Sequence, residues 1–308
     1  QPLRLLSACG PYTTNDNFDY EPLVDLMGVV RQERPDVVIL AGPFVDIGTQ
    51  DPMLELDDGT TMNVTFEVFF AHKIAAMLEE LFETNSDLQT QFVLVPSLDD
   101  AVAEWVYPQA PLSDRLPNGG SSLNLPGADG IENGTLGLEH IETMGREHGG
   151  PRRVHCVANP CTLQINEIVV GMTSTDVIFH MSCEETNENL QPGSRLGRIA
   201  QHLLQQRSYY PLFPPAASLD LGHMQQWAMP CQPDLLIVPS KLTCFARTVL
   251  ENTVMINPGQ LTRGRSGGSY AMVEVHAMKR ETLESAQGET VEMSHSLPDR
   301  VRVEIKRI

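Results

Sequence analysis

The stretch Pro35-Asp36-Val37-Val38-Ile39-Leu40-Ala41-Gly42-Pro43-Phe44-Val45-Asp46 decides the fold class of this chain. Its consecutive apolar residues show no polar alternation and predict a strand that is buried on both faces. Strands of this kind belong to sheets flanked by helices, and ligands bind beyond their carboxyl ends. The loop there has the outline of a Gly-Asp-x-x-Asp metal loop, but Pro43 stands where the first aspartate would be. Because proline offers a hard cation no side-chain oxygen, the loop is shaped like a catalytic site and lacks its donor.

Strands and helices alternate around this stretch. Leu3 to Cys9 predicts a strand, and residues 23–30 then repeat apolar side chains at helical spacing. A second helix follows from Val64, and its apolar face leads to a third buried strand, Phe92 to Val95. The pattern predicts a sheet of parallel strands, and the loop at residues 97–100 shares a crevice with the loop at 42–46.

The second half of the chain adds further strands and a helix. We expect a hairpin turning at Asn166-Glu167, a helix near Leu196 to Leu204, buried strands at Leu235 to Val238 and Thr253 to Ile256, and a C-terminal antiparallel pair. We treat residues 1–308 as one domain with two polar interruptions. One is a flexible insertion at about 112–151, and the other is a polar excursion at about 279–299.

The composition excludes several classes of function. Forty acidic residues oppose 21 basic ones, and the net charge of −19 repels phosphate backbones. The basic patch at Arg263 to Arg265 is small, so we expect no strong direct binding of DNA. No run approaches the ~20 apolar residues of a membrane helix, and none of the six cysteines pairs at zinc-knuckle spacing.

One catalytic motif occurs by chance spacing. Gly264-Arg265-Ser266-Gly267-Gly268 matches the serine-hydrolase pattern Gly-x-Ser-x-Gly. That motif requires a strand directly before it and a helix directly after it, whereas residues 270–275 have strand character. We interpret it as a turn.

An aromatic and proline-rich segment is the most informative feature outside the predicted crevice. Tyr209, Tyr210 and Phe213 lie among prolines that keep the chain extended. Aromatic side chains are enriched in interface cores, so the three residues are candidates for partner binding. Packing in the protein core explains such a cluster equally well, and the sequence leaves both interpretations open.

Six short runs, in order along the chain, resemble the B subunits of DNA polymerase alpha–primase. They are ACGPYTT (8–14), RPDV (34–37), VPSL (95–98), TSTD (173–176), QRSYYPL (206–212) and VMINPG (254–259). The resemblance implies the C-terminal calcineurin-like phosphoesterase domain of that family, an α/β sandwich of two central mixed β-sheets flanked by helices. It also implies that the chain, which opens at Gln1, lacks a preceding oligonucleotide-binding-type barrel and an N-terminal region.

Active calcineurin-like enzymes bind two metals through loops at strand ends, and the resemblance places four such loops here. The positions that correspond to metal-site residues or survive from them are Ala8, Gly10, Pro43, Asp46, Leu98, Asp99, Asp100, Ser240 and Leu242. Most have lost the required oxygen or nitrogen donor, and a two-metal site needs about four to six donors per ion. The resemblance therefore implies a catalytically inactive domain with no metal and no cofactor.

The resemblance also implies a function. It is that of a nuclear, non-catalytic accessory subunit, which holds the C-terminal domain of the polymerase alpha catalytic subunit and joins it to the primase subunits at the start of DNA replication. Two alternatives remain at this stage. One is a B subunit of polymerase delta or epsilon, and the other is an active metallophosphoesterase with unusual ligands.

The composition of residues 112–151 generates a first prediction. A segment this polar buries too little apolar area to offset a conformational entropy of about 1–2 kcal/mol per residue. Limited proteolysis should therefore cut there first and leave two fragments that stay together during gel filtration. First cuts between Phe66 and Leu81, inside the predicted second helix, would contradict this assignment.

Overall fold

The computed structural model describes residues 2–49, 52–55, 59–113, 136–138, 152–188, 194–279 and 294–308. The strands in these ranges are β1 (Leu3–Cys9), β2 (Val37–Ala41), β3 (Met53–Glu55), β4 (Thr61–Asn63), β5 (Gln91–Val95), β6 (Val154–Cys156), β7 (Cys161–Ile165), β8 (Ile168–Met172), β9 (Leu235–Ile237), β10 (Phe245–Val249), β11 (Thr253–Asn257), β12 (Thr262–Arg263), β13 (Ser266–Gly267), β14 (Ser269–Val275) and β15 (Val301–Arg307). The α-helices are α1 (Glu21–Glu33), α2 (Phe66–Phe70), α3 (Ala76–Thr84), α4 (Val177–Cys183) and α5 (Arg195–Gln205). A π-helical turn, Ala71–Ala75, joins α2 to α3, and 3-10 turns occupy Leu221–Trp227 and Leu297–Asp299.

The first sheet has six strands in the order β15-β14-β1-β2-β5-β6. Strands β1, β2, β5 and β6 run parallel, with Leu5 opposite Val37 and Val38 opposite Phe92. Strands β14 and β15 complete the sheet in antiparallel pairing. This arrangement confirms the predicted parallel strands and the predicted C-terminal antiparallel pair.

The second sheet has five strands in the order β10-β11-β9-β8-β7. Its three central strands are parallel, and the edge strands β7 and β10 pair with them in antiparallel fashion. The hairpin β7–β8 turns at the predicted position, where Asn166 adopts a left-handed φ of 54°. Asparagine tolerates this conformation better than most residues, which explains the turn.

The two sheets pack face to face, and each carries helices on its outer face. Alternate residues of the first sheet, such as Ile39, enter an apolar layer that also contains Ile237 and Ile256 of the second sheet. Their neighbours face outward, so that Val38 packs with the residues of α1 to α3. Met255 likewise packs with α4 and α5. The central strands are buried on both faces because each lies between a helix layer and another sheet.

The regions between these elements include a further strand pair. Strands β3 and β4 form a short antiparallel pair, with Met53 opposite Asn63. Sequence patterns did not indicate this pair, because the surrounding residues are acidic and polar. Most of the predicted insertion at 112–151 and of the excursion at 279–299 lies outside the described residues. Within those stretches, Leu112, Leu136, Leu138 and Leu297 are described and buried. No helix in the described part of the chain is long and apolar enough to cross a membrane.

Candidate functional site

Loops that follow six parallel strands enclose a cleft of about 470 Å³. The strands are β1, β2 and β5 of the first sheet and β8, β9 and β11 of the second. Their contributions to the lining are residues 9–10, 42–43, 97–99, 174–176, 239–241 and 260, which are joined by Trp105, Phe179, His180 and residues 216–218. The cleft lies where parallel strands end, as the sequence predicts for a ligand site in an α/β sheet.

The structure brings together five of the nine positions that the sequence singled out. Gly10, Pro43, Leu98, Asp99 and Ser240 line the cleft. The other four positions are outside its lining. Asp46 borders a separate surface pocket beside residues 13–18, and Leu242 packs in part against the core near α4 and α5.

At the end of β1, the residue that faces the cleft differs from the expected one. The resemblance places Ala8 at the crevice, but its side chain is buried in the core on the helix side of the first sheet. Side chains alternate along a strand, so the next residue, Cys9, faces the cleft instead. The Cys9 thiol donates a hydrogen bond to the Gly42 carbonyl at 3.2 Å, and burial raises its pKa well above the ordinary value. Burial therefore disfavours the thiolate, which is the form of cysteine that acts as a nucleophile.

The floor of the cleft is closed by backbone. The Gly10 amide donates to the Ala41 carbonyl at 2.9 Å, and the Gly42 amide donates to the Val95 carbonyl at 2.8 Å. A Cβ atom added to Gly10 would overlap the carbonyl oxygen of Pro43, and one added to Gly42 would overlap the Asp100 carboxylate. The exit loops are therefore so close together that neither glycine position has room for a larger side chain.

The Asp100 carboxylate holds these loops together. Its Oδ1 accepts hydrogen bonds from the amides of Phe44 and Val45, and its Oδ2 accepts one from the Ser97 amide at 2.9 Å. Burial raises the pKa of Asp100 to about 7, although the three amide donors oppose this shift. Because both oxygens already face backbone N–H groups, Asp100 is a structural cross-link between the loops after β2 and β5.

The opposite wall of the cleft carries charged groups that the sequence reasoning missed. Asp176 caps α4 by accepting from the Phe179 amide at 3.0 Å, and its other oxygen accepts from the Lys241 amide at 2.9 Å. The Lys241 ammonium lies 3.4 Å from the centre of the Phe179 ring. Asp176 ends one of the runs that carry the resemblance, and Lys241 lies in the loop compared with the last metal loop. The sequence signal that could have identified these two residues is their position in the loops that follow β8 and β9.

Two titratable side chains remain in the cleft. Burial, followed by the charge of Asp46, raises the pKa of Asp99. Burial lowers the pKa of His180, whose Nδ1 lies 3.0 Å from the Tyr210 hydroxyl. No three His, Cys, Asp or Glu side chains within the described ranges are grouped so that they could hold a metal ion. The residues present do not fit a two-metal centre, which needs about four to six donors for each ion.

The serine-hydrolase pattern at 264–268 lies in the hairpin formed by β12 and β13, with Gly264 in a left-handed conformation at φ 62°. A strand, β14, follows it directly, where a nucleophile elbow would need a helix. The segment is a turn, as the sequence predicted.

The aromatic segment divides between core and surface. Tyr209 and Tyr210 are only 2% and 3% exposed, whereas Phe213 is 81% exposed. The Tyr209 hydroxyl lies 2.7 Å from Thr162 Oγ1, and the Tyr210 hydroxyl accepts hydrogen bonds from the amides of Ala216 and Ala217. The two tyrosines therefore stabilise this chain from within, and Phe213 is the member of the three whose side chain is available to a partner.

Comparison with known proteins places these features in a family. The profile of the family described as the B subunits of DNA polymerases alpha and epsilon matches residues 5–247. The B subunit of DNA polymerase alpha from Rattus norvegicus is 35% identical over 93% of this chain and 42% of its own length. The corresponding protein from Schizosaccharomyces pombe is 28% identical over the whole of this chain and 48% of its own length. The chain thus spans less than half the length of these relatives.

A solved structure, that of the protein TT1561 from Thermus thermophilus, overlaps 100% of this chain and 99% of its own at 12% identity. Its TM-score of 0.41 is too low to establish a common fold.

The role of Asp100 generates the second prediction. Asp100→Ala leaves three amide donors without an acceptor in a buried place and should lower the free energy of unfolding by roughly 3 kcal/mol. Asp99→Asn is the control, because the neighbouring Asp99 side chain is exposed and accepts none of these amides. Urea unfolding followed by circular dichroism measures both effects. If the Asp100→Ala protein were as stable as the Asp99→Asn protein, Asp100 would not cross-link the two loops.

The same carboxyl group sets a pH dependence. Its pKa of about 7 is above the ordinary aspartate value, so the native state holds the proton that the unfolded state releases between about pH 4 and 7. The part of the stability that is linked to this proton is therefore complete at low pH and is lost as the pH rises through about 7. Asp100→Asn should flatten this part of the stability profile, measured as the unfolding midpoint in urea at each pH.

Proposed function

The chain belongs to the family of the B subunits of DNA polymerases alpha and epsilon, and from that membership we propose that it is a non-catalytic accessory subunit of DNA polymerase alpha–primase. The relatives described above bear the name of the alpha polymerase. In this role the chain binds the C-terminal domain of the polymerase alpha catalytic subunit and supports the start of DNA replication in the nucleus. The primase subunits belong to the same assembly.

The closed floor of the cleft is the observation that carries the non-catalytic part of the proposal. An active calcineurin-like enzyme needs a metal-binding side chain at the position of Gly10 and another at the position of Pro43. Here the backbone at Gly10 lies against the Pro43 carbonyl, and proline has no side-chain donor. The sandwich of two mixed sheets with outer helices agrees with a calcineurin-like ancestry. We infer a degenerate phosphoesterase domain whose loops now serve as structure.

Charge supports a protein partner over a nucleic acid. The chain carries a net charge of −19, and DNA-binding proteins neutralise several phosphates with lysine and arginine. The small basic patch is weakened further, because Arg265 lies 3.9 Å from the Asp16 carboxylate and Arg263 donates to the Leu242 carbonyl. A direct strong contact with DNA is therefore not part of the proposed role.

A second candidate within the family is a B subunit of polymerase epsilon. The description of the matching family includes both the alpha and the epsilon enzymes, whereas the relatives described above are subunits of alpha. A B subunit of polymerase delta is the more remote version of the same alternative. The identity of the catalytic subunit that the chain retains distinguishes the three.

The fourth prediction concerns metal and hydrolysis. The purified protein should hold no stoichiometric manganese, iron or zinc by mass spectrometry of the metals, and it should hydrolyse no phosphodiester. The double reversion Gly10→His with Pro43→Asp should lower stability without creating a metal site, because the new histidine would overlap the adjoining loop. A transition metal bound at the strand ends, and lost on chelation together with phosphodiesterase activity, would overturn the non-catalytic assignment.

The fifth prediction tests the partner. Co-expressed with the C-terminal domains of the alpha, delta and epsilon catalytic subunits, the chain should retain the alpha domain at a one-to-one ratio through gel filtration. An obligate contact of this kind buries more than ~2,000 Å² and so survives dilution during purification. Retention of the delta or epsilon domain in its place would move the chain to that complex. Tight binding of duplex DNA by the chain alone, at roughly physiological salt, would contradict the protein-docking role itself.

A further inference from the structure

Exposed apolar side chains gather beside the cleft. Among the described residues, eight large hydrophobic side chains are exposed, and five of these lie in the two stretches 105–106 and 213–224. These five, which we call the apolar rim, are Trp105, Val106, Phe213, Leu221 and Met224, and they are between 42% and 81% exposed. Single exposed apolar residues are common on proteins, but their concentration in one region marks a binding surface.

Backbone pairing joins the two stretches that carry the rim. The Tyr107 amide donates to the Ser218 carbonyl at 2.9 Å, and the Asp220 amide donates to the Tyr107 carbonyl at 2.8 Å. Trp105 and residues 216–218 also line the same cleft. The two stretches that carry the rim side chains therefore meet at Tyr107 and residues 218–220, although they are more than a hundred positions apart in sequence.

A buried aromatic base supports the rim. The Tyr107 ring packs against Tyr210 with centroids 5.8 Å apart and against Trp227 with centroids 5.9 Å apart. All three rings belong to the core between the second sheet and its helices. Because this base is already ordered, docking on the rim costs little conformational entropy in the backbone beneath it, which favours tight binding.

The charge around the rim indicates the chemistry of its partner. Glu104 is exposed next to Trp105, and Asp99 lies in the adjoining cleft. Neither forms an ion pair with another residue in the described part of the chain. The nearby cations have internal partners, since Lys241 lies over the Phe179 ring and Arg207 donates to the Pro230 carbonyl at 2.7 Å. The surroundings of the rim are therefore acidic, and they favour a basic surface opposite.

We propose that the apolar rim docks a segment of a protein partner in which apolar side chains are flanked by lysine or arginine. This inference rests on the proposed function, because it assigns the surface with which the accessory subunit holds its polymerase. A nucleic acid does not match the acidic surroundings. A second copy of the chain would bring the same net charge of −19 and meet electrostatic repulsion.

The experiment replaces rim residues one at a time in the full chain. The variants Phe213→Glu, Leu221→Glu and Met224→Glu place a charge where the partner's apolar side chains dock. Each should weaken binding of the C-terminal domain of the polymerase alpha catalytic subunit at least about tenfold, measured by isothermal titration calorimetry. The matched control is Val24→Glu on α1, where the native side chain is 51% exposed. It should bind within about twofold of wild type. Because all four side chains are exposed, thermal unfolding should be unchanged in each variant.

A second arm tests the charge. Glu104→Lys should slow association and reduce the dependence of the association rate on salt, because it removes an attraction for the basic segment. Asp25→Lys, an exposed site on α1, makes the same change of charge away from the rim and should leave the rate within about twofold at physiological salt. Stopped-flow fluorescence at several salt concentrations measures both.

The outcomes distinguish a failure of the rim inference from a failure of the proposed function. If wild type binds the polymerase domain and the rim variants bind as Val24→Glu does, the rim inference is wrong and the proposed function stands. If wild type binds no polymerase domain, the proposed function fails and the rim inference falls with it. If sedimentation shows a wild-type dimer that Leu221→Glu converts to a monomer, a second copy is the occupant and the proposal is overturned.

Discussion

The structure of the cleft depends on one buried carboxylate. Asp100 accepts hydrogen bonds from amides in the loop after β2 and in its own loop after β5, and so it joins the carboxyl ends of two central strands. The connection is thus made by a side chain of the protein itself. The two loops lie so close together that Gly42 has no room for a side chain.

The other wall of the cleft contains a cation. The Lys241 ammonium lies 3.4 Å from the centre of the Phe179 ring. Both carboxylate oxygens of Asp176 accept hydrogen bonds from backbone amides, one at the start of α4 and one in the loop after β9. The carboxylates that remain are thus used for local structure or are raised in pKa by burial, as Asp99 is. The polar groups of the cleft are thus largely engaged in contacts within the protein.

Much of this architecture was predictable from sequence, because it follows from local patterns. The uninterrupted apolar run at 37–41 predicted a doubly buried strand, and the strand indeed lies between a helix layer and a second sheet. The positions of the exit loops followed from the strand ends. What local patterns cannot supply is the direction of a side chain at a strand end or its distant partner. Ala8 and Cys9 are neighbours in sequence, yet their side chains face opposite sides of the sheet. A comparison shifted by one residue therefore assigns the cleft-facing position to the wrong side chain.

Side-chain exposure in the aromatic segment was also beyond local reasoning. Tyr209, Tyr210 and Phe213 have the same chemistry and lie within five positions, so composition alone assigns them one role. Their difference arises from contacts distant in sequence: Thr162 meets the Tyr209 hydroxyl, and Tyr107 packs against Tyr210, while Phe213 has left the core. The buried aromatic rings thus fix the backbone of the segments that carry the exposed aromatic side chains. The packing of Tyr107 against Tyr210 and Trp227 therefore positions the two stretches that carry the rim.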